Sequence, residues 1–115
     1  MEKLTQLFEE YINKCIFETE KSLSLSLDEF DIFYKSIENR ERLLQIINQI
    51  SLQVDWLQVN LDKRNELNQK IELMKKLDNE LLTKLQEFKS SLKKEIETTF
   101  RQKENIKGYN LSQVK

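Results

Sequence analysis

Apolar residues recur along almost the whole chain at intervals of three and four, and almost nothing interrupts them. There is no proline and one glycine, Gly108, in 115 residues. Such intervals line one face of an α-helix, and proline and glycine are the residues that most often end one. Long amphipathic helices that bury their stripes against each other are what this pattern permits.

Leu4, Leu7, Phe8, Tyr11, Ile12, Cys15, Ile16 and Thr19 place a first helix over roughly residues 2–22. Cys15 falls within that stripe, which predicts a buried, inert thiol rather than a nucleophile. The run from Ser22 to Leu27 then alternates serine and leucine. Alone that is a strand signal, but no partner strand is evident, and serine favours helix ends. We read a short connection pinned to the core by its leucines, with Ser26 and Glu29 as a capping box opening the second helix.

The second helix carries Phe30, Phe33, Ile37 and Leu44, with Tyr34 alongside. From Leu43 the spacing becomes a seam of Leu43, Ile47, Ile50, Val54, Leu57 and Leu61, as expected of long helices packed nearly antiparallel. Leu52, Trp56 and Val59 lie off that seam, so the stretch from Ile50 to Leu61 reads as a helix apolar nearly all round. Ile50, Leu52, Val54 and Trp56 also alternate, and a strand is the competing reading. The chain is expected to reverse between Val59 and Lys63, with Asn60 in the left-handed conformation and Asp62 capping the third helix.

Leu67, Ile71, Met74, Leu77, Leu81, Leu85, Phe88, Leu92 and Ile96 mark that third helix, flanked by Leu73 and Leu82. Thr98 and Thr99 are poor helix formers and predict a hinge there. The expected fold is all-α: an antiparallel bundle of three long helices plus a short C-terminal helical segment. Residues 1–99 would form the body and residues 100–115 the terminal segment.

Charged residues make up 34 % of the chain and nearly cancel, leaving a net charge of −1. Nucleic acid requires a basic face to replace counterions, so it is not an expected partner. The absence of histidine removes Cys/His metal sites and the Glu-x-x-His di-metal bundle. A single glycine forms no phosphate-cradling loop. No enzyme activity, metal or cofactor is expected. Glu2, Lys3, Glu9 and Glu10 break any apolar run at the start, and no stretch approaches the ~20 apolar residues of a membrane span. A reducing, cytoplasmic compartment without membrane insertion is the expectation.

What remains is surface. The stretch around Trp56, with Leu52 and Val59, is read either as core or as a groove for a partner helix, or as a homodimer face. Leu73, Met74 and Leu77 widen the stripe of the third helix, and Met74 is compliant enough to suit core or groove.

Two strings carry more specific information. Phe100-Arg101-Gln102-Lys103 leads, past Ile106 and Gly108, into Tyr109-Asn110, and Leu77-Asp78-Asn79-Glu80 precedes Leu81-Leu82 upstream. The pattern resembles the C-terminal signature of the flagellar export chaperone FliT family, over roughly Leu77 to Asn110. It departs from that pattern in having no alanine around the tyrosine. The resemblance implies a small cytoplasmic helical chaperone that binds the C-terminal region of the filament-cap protein FliD. Such a chaperone prevents premature assembly and hands its cargo to the flagellar export ATPase complex. It further implies a regulatory tail in which Ile106 and Tyr109 supply apolar contacts and Arg101 and Lys103 charge, and Gly108 beside them permits a sharp turn. The alternatives are a FlgN-like chaperone of hook–filament junction proteins, or a helical scaffold that dimerises.

Overall fold

The computed structural model describes the backbone of residues 2–114 and the side chains of residues 2–99. Three α-helices account for nearly all of it: α1 (Glu2–Leu23), α2 (Phe30–Gln53) and α3 (Leu61–Val114). One-turn 3₁₀ helices, Leu27–Glu29 and Trp56–Gln58, lie in the two connections. No strand occurs among the described residues. The chain divides into two units, Met1–Thr83 and Lys84–Lys115.

In the first unit successive helices run antiparallel. Ser22 near the end of α1 meets Ser36 near the start of α2. Arg40 of α2 pairs with Asp78 of α3, while Trp56 beyond the end of α2 stacks edge-on against Phe8 of α1. α1 and α3 consequently run the same way, with Glu9 opposite Lys63 and Asn13 opposite Lys70.

The backbones of α1 and α2 come closest, and the reason is residue size. The buried stripe of α1 is Thr5, Phe8, Ile12, Cys15, Thr19 and Ser22, large in the first half and small in the second. Ser22 Oγ meets Ser36 Oγ and also donates to the Glu18 carbonyl at 2.8 Å, while Thr19 Oγ1 donates to the Cys15 carbonyl at 2.7 Å. Buried hydroxyls that close their hydrogen bonds within or between the helices leave no uncompensated polar atom there. Phe8, Ile12, Cys15, Ile47, Ile50, Val54, Val59 and Leu67 form the main core cluster.

The capping box of the first connection forms, but it opens the 3₁₀ turn Leu27–Glu29 that leads into α2 rather than α2 itself. Glu29 Oε1 accepts from both the Ser26 backbone N–H at 3.2 Å and the Ser26 hydroxyl at 3.1 Å. Leu23, Leu25 and Leu27 are half-buried between exposed Ser24 and Ser26.

The second connection differs from the reading. α2 stops at Gln53, so the reversal occupies residues 54–60 rather than beginning at Val59. Val54, Asp55 and Val59 are extended. The cause is local capping: Asp55 Oδ1 accepts from Leu57 N–H at 3.2 Å, and Trp56 Nε1 donates to the Ser51 carbonyl at 3.2 Å. Both bonds satisfy backbone groups that helix continuation would otherwise have satisfied. Asn60 is not left-handed; its Oδ1 accepts from Asp62 N–H at 2.7 Å, which makes it the N-cap of α3. Leu57 and Leu61, expected in the seam, are exposed in consequence, Leu57 at 89 %.

No interruption marks Thr98 and Thr99, and the terminal segment continues α3. Two threonines cost only a few tenths of a kcal/mol each against good helix formers, too little to break a run already propagating. Gly108 is likewise helical and does not form the expected sharp turn. One glycine in a helix costs about 1 kcal/mol.

Candidate functional site

Leu52, Trp56 and Val59 do not share a face, because α2 ends between them. Leu52 is 82 % exposed on the last turn of α2, whereas Val59 is buried in the core. Trp56 is half-buried, its ring 5.0 Å from that of Phe8 at an interplanar angle of 75°, the edge-to-face arrangement aromatic pairs prefer. Beside it lies a recess of about 340 Å³ lined by Phe8, Ser51, Trp56, Arg64, Leu67, Asn68 and Ile71. Of the α3 residues, Leu77 is buried, Met74 packs on the core cluster, and Leu73 is 40 % exposed at the edge of the helix–helix contact. Arg101, Lys103, Ile106, Gly108 and Tyr109 have side chains outside the described residues.

Exposed apolar residues of the first unit are Leu7 and Phe17 of α1, Ile32, Tyr34 and Ile46 of α2, and two further groups. Leu52, Leu57 and Leu61 gather at the second reversal, and Leu73 and Leu82 flank the buried stripe of α3. Exposed apolar side chains grouped in this way mark candidate contact surfaces.

The Leu-Asp-Asn-Glu string has a structural role that its sequence does not announce. Leu77 and Leu81 are both buried, and Asp78 between them reaches Arg40 of α2. Arg40 is only 5 % exposed, and one guanidinium nitrogen also lies 3.6 Å from Glu41. Its Nε has no hydrogen-bond partner. A buried guanidinium needs a carboxylate, and Asp78 is positioned to supply it. The sequence carried the signal: Phe33, Ser36, Arg40, Leu43, Ile47 and Ile50 repeat at three and four, so Arg40 occupies a core position.

A second ionic link joins α1 to α3. Lys63 Nζ lies 2.6 Å from Glu9 Oε2, and Lys70 Nζ 3.6 Å from the same oxygen and 3.0 Å from Asn13 Oδ1. Hydrogen bonding to Lys63 holds the Glu9 carboxyl below its ordinary value and, reciprocally, raises the Lys63 ammonium. Burial pushes the Cys15 thiol up, in keeping with an inert core residue.

Among the described residues no group of His, Cys, Asp or Glu could hold a metal ion, and no helix is long and apolar enough to cross a membrane. Comparison with protein-family models, with curated proteins and with solved structures finds nothing that matches this chain.

Proposed function

We propose that this protein is a cytoplasmic flagellar export chaperone of the FliT type. It binds the C-terminal region of the filament-cap protein, keeps that protein from assembling early and carries it to the export ATPase complex. The observation that carries the reading is the pair of signature strings on α3. One of them, Leu77-Asp78-Asn79-Glu80, anchors the helix to the body through buried Leu77, with Leu81 just beyond it, and the Arg40–Asp78 pair.

The mechanism follows from helix-in-groove physics. Terminal segments of a filament subunit are amphipathic and self-associate. Open leucines at the second reversal and along α3 offer them an apolar surface, while the acids and bases interleaved around it keep the complex soluble. Regulation by the terminal segment, as the resemblance implies, would require α3 to break before Phe100, and loading would then be a population shift. Co-purification of the full chain from its native cytoplasm, with mass identification of what it carries, tests the reading. Recovery of the cap protein supports it. Recovery of hook–filament junction proteins instead favours the FlgN-like alternative, and recovery of the chain alone favours a scaffold.

A further inference from the structure

The recess beside Trp56 has one charged side chain in its wall and no acid to match it. Phe8, Trp56, Leu67 and Ile71 give it apolar sides, and the charge is Arg64. Arg64 is half-buried. Its Nε is buried without a hydrogen-bond partner, and the side chain takes part in none of the ion pairs among the described residues.

The sequence around Arg64 supplies no carboxylate. The residues three and four positions away, Asn60, Leu61, Leu67 and Asn68, are uncharged, and α2 carries no acid between Glu41 and its end at Gln53. The one acid of the second reversal, Asp55, is exposed and accepts from the Leu57 N–H. Lys63, next to Arg64 in the chain, pairs with Glu9 and Glu66 instead. Arg40 is the other guanidinium with an orphaned Nε, and it has Asp78. Arg64 has no such counterpart among the described residues.

We propose that the recess binds a carboxylate carried on a bulky apolar group. Its source is a small aryl or alkyl acid, or the terminal carboxylate of a peptide ending in an apolar residue. The guanidinium fork matches the two carboxylate oxygens, and a site half-closed to water strengthens that pairing. The apolar group would lie against Phe8, Trp56, Leu67 and Ile71. Trp56 offers only its ring, because its indole N–H already donates to the Ser51 carbonyl. One guanidinium suits a monoanion; a phosphate dianion calls for a second cation, and Lys63 is held by Glu9. A recess of about 340 Å³ lies at the small end of ligand pockets, which run from ~300 Å³ upward. The proposal stands apart from the flagellar reading, since it uses neither signature string.

Trp56 is the chain's only tryptophan, so its fluorescence reports on the recess directly. The probes are hydrocinnamate and its neutral amide, and a tetrapeptide ending in phenylalanine with a free or an amidated terminus. Titrated into the full chain, at least one acid should give a saturable fluorescence change, with affinity about tenfold or more above that of its amide. A tighter peptide identifies a chain terminus as the source, and a tighter hydrocinnamate a small acid. Arg64→Gln should bring the acids down to the affinity of their amides while far-ultraviolet circular dichroism stays helical. The proposal is overturned if neither acid saturates, if acid and amide bind equally, or if Arg64→Gln keeps the preference. Displacement of the bound acid by an equal concentration of inorganic phosphate would overturn it too.

Discussion

Replacing Asp78 by alanine removes half of an ion pair whose other half cannot reach water. Arg40 is 5 % exposed, its Nε already lacks a partner, and Glu41 at 3.6 Å is a poor substitute. Stranding a buried charge typically costs 3–5 kcal/mol; Asp78 is half exposed, so water enters partly, and about 2–3 kcal/mol is expected. For a domain of this size that lowers Tm by roughly 10 °C. Replacing Arg40 by methionine acts differently, because it removes the charge and the orphaned Nε together. The loss should stay within about 1 kcal/mol, and combining Arg40→Met with Asp78→Ala should recover most of what Asp78→Ala costs alone. Urea unfolding followed by circular dichroism measures all three variants. An Asp78→Ala loss within the ~0.5 kcal/mol of an ordinary surface change would refute the reasoning, as would an Arg40→Met loss larger than that of Asp78→Ala.

Trp56→Ala should cost about 2–3 kcal/mol, below the 3–5 typical of a fully buried aromatic, because it loses the Phe8 contact and the Ser51 cap from a half-buried position; thermal denaturation reads it. The Glu9–Lys63 link should weaken at both ends of the pH range. The lowered Glu9 carboxyl contributes stability above its unfolded value near 4.5, lost as pH falls through the lower folded value. The raised Lys63 ammonium contributes below its unfolded value near 10.5, lost as pH rises through the higher folded value. Glu9→Gln should flatten both limbs of the stability–pH curve, with a loss on the order of 1 kcal/mol at neutral pH.

The helices were legible because their stripes are unbroken: Phe8, Ile12 and Cys15 of α1, and Phe33, Ile47 and Ile50 of α2, are buried at the expected spacing. The second reversal was misread because Leu57 and Leu61 keep the seam's rhythm after the helix has ended. The contrary signal was present in Asp55 and Asn60, two side chains that compete for backbone N–H groups and favour caps. Trp56 added a cap that spacing cannot show, since it depends on the indole folding back to Ser51. Arg40 stands in a core register that its charge disguises. A buried charge is predictable from register, but its partner is not, because Asp78 lies 38 positions along the chain (78 − 40). The candidate groove residues divided: Val59 and Leu77 are buried, Met74 packs on the core cluster, Trp56 is half-buried, and Leu52 and Leu73 are exposed.

The chaperone reading stands or falls on a titration of the filament-cap protein's C-terminal peptide into two forms of this chain, one full-length and one ending before Phe100. Saturable binding by both is predicted, with the shortened form tighter. A tenfold gain would correspond to about 1.4 kcal/mol of self-docking by the terminal segment. Equal affinities would keep the chaperone and remove the regulation. No saturable binding by either form would contradict the account at its centre.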